Sequence, residues 1–346
     1  MAHDIELGLD TFGDVTVDAA DRPIPQPQVL RNVVAEAALA DRLGLDFFGV
    51  GEHHRADFAV SAPEVLLAAI AGQTTRIRLG SAVTVLSTDD PVRVFQRFST
   101  LDAVSNGRAE IIIGRGSFTE SFPLFGFDLD QYHQLFEERL ELFAALLTEQ
   151  PVTWSGQTRS PLRDQRVYPP TGGGLRAWVG VGGSPDSVVR AARHGLPLML
   201  AIIGGSAERF APWVDLYHRA LGQMGQPARP VGAHSPGHIA ATDQQAREEL
   251  WPHYAAMFGR IGAERGWPPP TRARFEMECG PEGALYAGSP ETVARKIVRT
   301  VKTLGLSRFD MKYSNGTLPH ETLRTSIELY ATEVVPRVRE LLSQEA

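Results

Sequence analysis

Apolar and polar positions fall into two kinds of block along this chain. Runs of consecutive apolar residues occur at 4–12 (DIELGLDTF), 46–54 (DFFGVGEHH), 77–86 (IRLGSAVTVL) and 109–116 (AEIIIGRG), then at 176–183, 196–203 (LPLMLAII), 229–240 and 308–315. Consecutive apolar positions predict parallel strands covered on both faces, where a half-exposed strand would alternate. Between these runs the apolar residues recur at helical spacing. In 29–44, Val29, Val33, Ala37 and Ala40 form one stripe that ends at Gly44. The stretch 130–147 repeats the pattern with Leu135, Leu140, Phe143 and Leu147, and 289–305 opens with Ser and Pro and ends at Gly305. Eight strands alternating with helices predict an α/β fold, a (β/α)8 TIM barrel, with a doubly wound sheet as the alternative. Two Pro- and Gly-rich stretches, 148–175 and 266–288, read as irregular loop insertions at the carboxyl face, the second a candidate lid. No stretch reads as a linker, so 1–346 is expected to be a single domain.

Composition narrows the class. Over 346 residues, 43% hydrophobic and 22% charged, the net charge is -7 with no basic run. This argues against nucleic acid as a partner. The apolar runs are too short to span a bilayer, and the N-terminus lacks a charged segment followed by an apolar one. With Cys279 as the single cysteine, no internal disulfide or thiolate cluster can form, and a cytoplasmic location is the expectation.

In a barrel the chemistry sits at the carboxyl ends of the strands. Glu52, His53 and His54 fall there after the second strand, Arg115 after the fourth, Gly182, Gly183 and Ser184 after the fifth, and Ser314 and Asn315 after the eighth. The run VGVGGSPDSVVRAARHG (179–195) goes from strand through two glycines into a helix with Ser184 at the N-cap position and Pro185 at N1. Such a turn is either a phosphate cradle or an ordinary capped βα connection. Arg115 in IIIGRGSF is either an anion clamp or an ion-pair partner. Adjacent histidines on a strand point to opposite faces, so His53 and His54 are poor candidates for one metal, and no metal site is expected. Phe12, Phe58, Phe118 and Phe122 are possible apolar lining.

These residues have a family likeness. FFGVGEHHRADF (47–58), the segment 79–116 with its DPVR turn and LDAVSNGR, FGFDLDQYHQLFEERLELF (125–143), 179–200 and YAGSPETVARKI (286–297) resemble, in register, the bacterial luciferase-like flavin-dependent monooxygenase family. The resemblance implies a luciferase-like barrel binding reduced FMN at its carboxyl face. His53 matches the catalytically important histidine beside the flavin, with Glu52 orienting a neighbour. Ala82 and Val83 match a non-proline cis peptide against the flavin ring. Arg115, Ser184 and Ser187 match positions on the FMN phosphate, with Gly182 and Gly183 offering backbone N–H groups. Gly114 stands where luciferase has a reactive cysteine, Gly183 replaces a glutamate, and Ala201–Ile202 stands where luciferase has a tryptophan, which makes bioluminescence doubtful. The implied activity is a monooxygenase taking O2 and a small organic substrate, with FMN reduced by a separate flavin reductase. His53 would be a hydrogen-bond or acid–base partner titrating near neutrality. A homodimer is implied as well. The alternatives are F420-dependent hydride transfer on the same fold, and a non-catalytic flavin-binding protein.

Overall fold

Strands that are apolar at successive positions can be satisfied only with cover on both faces, and here they close on themselves. The computed structural model describes residues 5–18 and 20–344. Eight parallel strands form the barrel: β1 Glu6–Thr11, β2 Phe47–Val50, β3 Arg78–Ser81, β4 Ala109–Gly114, β5 Arg176–Val181, β6 Leu198–Ala201, β7 Val231–Ile239 and β8 Arg308–Lys312. Each pairs with the next, and β8 pairs with β1 (Gly8 opposite Asp310, Asp10 opposite Lys312), which closes the cylinder. Helices cover the outside. Gln26–Arg42 buries Val29, Val33, Ala37 and Ala40, the stripe expected from the sequence.

The barrel interior is filled unevenly. Its lower part holds Arg308, whose guanidinium lies 3.5 Å from the centroid of Phe47 and pairs with Glu110 and, at 2.8 Å, with Asp310. All three charged groups are essentially fully buried. Burial pushes the Asp310 carboxyl up to about 7 against the pull of Arg308. Above them Phe47, Ile112, Trp178 and Met199 pack together, with Ala82 and Val83 against their upper side.

Both stretches expected to be irregular contain regular structure. Within 148–175, Val152–Trp154 and Leu162–Gln165 form an antiparallel pair. Within 266–288, Arg272–Cys279 is a helix capped by Thr271, and Tyr286–Gly288 pairs with the end of β7. Elements of three to eight residues are too short to show a period, so Pro and Gly dominate their local pattern. No helix among the described residues is long and apolar enough to cross a membrane.

Candidate active site

β2 ends at Val50, short of the run expected to reach residue 54, and the two histidines part from a loop beyond it. His54 Nε2 lies 2.8 Å from Glu52 Oε1, and its ring meets Phe125 edge-on at 5.0 Å. His53 points the other way, into a cage of Phe12 (4.5 Å between centroids), Phe58 (4.5 Å) and Phe118 (5.2 Å). Of the four phenylalanines singled out in the sequence, these three surround His53. Phe122 is buried against Tyr132 instead.

The cage decides the state of His53. Burial first, then the positive charges of Lys312, His54 and Arg55, push its imidazole down to about 3. The ring is therefore neutral across ordinary pH, and titration near neutrality does not hold. No protein group hydrogen-bonds its ring nitrogens among the described residues.

Glu52 acts on the backbone. Its Oε2 accepts the Val85 N–H at 2.8 Å, its own N–H donates to Val83 O at 3.1 Å, and Ala82 N–H donates to Val50 O at 2.9 Å. The segment 82–85 is thus strapped to the loop that carries His53. Both carboxylate oxygens of Glu52 are committed, which makes it a positioning group. The Ala82–Val83 peptide is cis. The γ-methyls of Val83 fit between two glycines: a Cβ on Gly114 would come within 2.6 Å of Cγ2, and one on Gly180 within 3.0 Å of Cγ1. Gly114 is a glycine because Val83 occupies its side-chain space.

Next to this, at the ends of β4 and β5, lies the turn read as a possible cradle. Ser184 is the N-cap residue of helix Pro185–Arg193, yet its hydroxyl caps nothing. Gly183 sits at φ +104°, and a Cβ on Gly182 would meet nothing within 4 Å. Among the described residues the Arg115 guanidinium makes only a 3.5 Å contact with His133 Nδ1 and a cation–π contact with Tyr132 at 5.3 Å. Ser187 is buried, and its Oγ accepts from Arg190 at 3.2 Å. A guanidinium, a hydroxyl and glycine N–H groups without strong partners fit a phosphate. Ser314 and Asn315, by contrast, are buried and bonded, Ser314 to Asp14 and Thr11, Asn315 to Gly237 O and Lys312 O.

Sequence reasoning missed the far wall of the mouth. Asp10 and His234, from β1 and β7, are paired at 2.6 Å, and Lys312 Nζ bonds Asp14 at 2.9 Å and lies 4.6 Å from the Phe12 centroid. The available signal was ionisable residues inside strands that are otherwise largely apolar, such as Asp10 in ELGLDT and His234 in VGAHSPGHI.

A closed parallel barrel carries a caged imidazole and an anion-fitting turn at its carboxyl mouth, the place where (β/α)8 enzymes hold their active sites. Comparison with known proteins supports that class. A profile described as luciferase-like monooxygenase matches residues 11–308, and the chain belongs to that family. The alkanal monooxygenase alpha chain of Photorhabdus laumondii subsp. laumondii is 28% identical over 303 residues, 78% of this chain and 81% of that one. Among solved structures, monooxygenase RslO1 from Streptomyces bottropensis has a TM-score of 0.80 at 23% identity, covering 96% of this chain and 99% of that one. The oxygenating constituent of 3,6-diketocamphane monooxygenase from Pseudomonas putida, in complex with FMN, has a TM-score of 0.77 at 18% identity, covering 98% and 99%. An F420-dependent secondary alcohol dehydrogenase, in complex with an F420–acetone adduct, has a TM-score of 0.73 at 15% identity, covering 97% and 99%. At these identities the solved structures speak to the fold alone.

Proposed function

We propose that this protein is the oxygenating component of a two-component FMN-dependent monooxygenase, using O2 and reduced flavin from a separate reductase on a small organic substrate. The homodimer implied by the resemblance belongs to the same proposal. The observation that carries the reading is the neutral, caged His53 strapped to Ala82–Val83, beside a turn whose Ser184 hydroxyl and Arg115 guanidinium are uncommitted. Bound FMN would supply the oxygen-activating chemistry that no side chain here can. Arg115, Ser184, Ser187 and the N–H groups of Gly182 and Gly183 would hold its phosphate. Ala82 and Val83 would support the ring.

The chain's own groups have separable tasks. His53, being neutral, offers one ring N–H and one lone pair and carries no charge into the site. Phe12, Phe58 and Phe118 keep water from it, and Phe118 is itself held between Arg55 (4.8 Å) and Arg265 (4.5 Å). Arg265 also bonds Ser117 O at 2.9 Å, so the cover over the mouth is the end of helix Asp243–Arg265. Glu52 fixes the distance between His53 and the 82–85 segment.

The second reading is F420-dependent hydride transfer, supported by the likeness to an F420-dependent dehydrogenase. Titrating the purified protein with FMN and with F420, by flavin fluorescence and absorbance, separates the two. FMN is expected to bind, and Arg115→Ala to weaken it by roughly 10- to 100-fold, the worth of a charge-assisted hydrogen bond. F420 binding without FMN binding, or an Arg115→Ala protein that binds FMN as tightly as wild type, would overturn the proposal.

A further inference from the structure

Two imidazoles, His53 and His234, share the mouth, and of the two only His234 has a carboxylate at hydrogen-bond distance among the described residues. His234 on β7 lies in register with Ala201 of β6 and Asp310 of β8. Its Nδ1 is 2.6 Å from Asp10 Oδ2. Asp10 is fully buried, and its other oxygen has no partner, so His234 is the one side chain this carboxylate holds. With the carboxylate as acceptor, Nδ1 carries the proton and Nε2 keeps a lone pair. No protein group bonds Nε2 among the described residues. The Phe12 ring stacks on His234 (6.2 Å, 15°) and meets His53 at 4.5 Å, so one aromatic ring is flanked by both imidazoles.

Their surroundings are opposite. His53 has three phenylalanines and three positive neighbours, and nothing offsets a proton on it. His234 has a buried carboxylate at hydrogen-bond distance, the arrangement by which an imidazole becomes an effective base. Around His234, Asp10 of β1 bonds it, Asp310 of β8 and Ala201 of β6 are its register neighbours, and Lys312 lies in register two residues on, beside Pro236.

We infer that His234, held by Asp10, is the general base of this site and removes the hydroxyl proton of a phenol- or enol-class substrate. The substrate O–H bond breaks, its electron pair stays on oxygen, and the proton forms an N–H bond at Nε2. The imidazolium is neutralised by Asp10. The resulting oxyanion makes the substrate carbon electron-rich, the form that accepts an electrophilic oxygen. The aromatic wall of Phe12, Phe58 and Phe118 suits a flat apolar ring. The assignment of this substrate rests on the monooxygenase reading, but the proton transfer needs no cofactor. His234 is thus a catalytic residue and Asp10 a positioning residue.

The test uses the cofactor-free full chain and para-nitrophenol, whose ionised form is read by its absorbance. Wild type is expected to bind it as the phenolate, with an apparent pKa at least about one unit below that in water, a tenfold shift. His234→Gln is expected to bind the ring but lose the shift, and Asp10→Asn to lose most of it. If Asp10→Asn fails to fold, nitrogen NMR of wild-type His234 takes its place: Nε2 should become protonated as the probe binds. No binding to wild type, no shift in wild type, an equal shift in His234→Gln, or an Nε2 that stays unprotonated would each overturn the inference. FMN titrated in parallel tells the readings apart, since failure to bind FMN with the nitrophenol shift intact sinks the flavin reading alone.

Discussion

Replacing Gly114 by alanine should cost far more than one methyl group usually does, and Val83 should be the reason. An added Cβ would lie 2.6 Å from Val83 Cγ2 and 3.2 Å from its Cβ. Carbon atoms in contact prefer about 3.5–4.0 Å, so Val83 must retreat by roughly 1 Å. Overpacking of this kind costs about 1–3 kcal/mol, and Gly114→Ala should fall in that range. Val83→Ala alone should cost about 1 kcal/mol, from two methyls in a half-buried position. In the double variant the 2.6 Å clash is gone and only the 3.2 Å approach to Cβ remains, so the two effects should fall short of additive by about 1 kcal/mol. Urea unfolding followed by tryptophan fluorescence is the suitable assay. With 346 residues the unfolding entropy is roughly 0.7 kcal/mol/K, so even 2 kcal/mol moves Tm by only about 3 °C. A Gly114→Ala protein within about 0.5 kcal/mol of wild type, or an additive cycle, would refute the reasoning. The same geometry means that a cysteine placed at 114 could not reproduce the luciferase thiol unless Val83 were cut back too.

Two further outcomes are expected. Arg308→Met leaves Asp310 buried without its cation and Glu110 with only its outer partners Arg78 and Arg176, and should destabilise by about 3–5 kcal/mol in urea, with little loss if both acids are replaced together by apolar residues. His53 is held near 3 in the fold against 6.5 unfolded, so its contribution is present above about pH 6.5 and is lost as pH falls toward 3. Wild type should therefore lose more stability than His53→Phe between pH 7 and 4, and parallel stability curves would contradict the caged, neutral imidazole.

Much of the architecture was legible because parallel strands must be apolar at neighbouring positions. The runs 109–116 and 308–315 contain the strands Ala109–Gly114 and Arg308–Lys312 and overshoot them by two or three residues into the mouth (Arg115 and Gly116; Tyr313, Ser314 and Asn315). The hairpin within 148–175 and the helix Arg272–Cys279 were not legible, since neither is long enough for a period to emerge. At the site, the sequence singled out His53 and offered Phe12, Phe58, Phe118 and Phe122 as apolar lining without joining them to it; His53 and His54 do diverge, but from a loop beyond β2. The sequence could not give the state of His53, which depends on rings brought from residues 12, 58 and 118. Nor could it show that Glu52 is spent on Val85, or that Asp10 and His234, 224 residues apart, meet. Pairing across the barrel is set by closure, and no local pattern encodes it.

The filled lower barrel has a kinetic consequence. With Arg308, Glu110, Asp310, Phe47 and Trp178 occupying the axis, the cylinder is a blind well with one opening. Everything that reacts must arrive and depart through the same doorway beneath the end of helix Asp243–Arg265. If the proposed flavin rests on the strand ends, it must be seated before a substrate can lie above it, and steady-state kinetics should then show an ordered pattern, with the last arrival the first to leave.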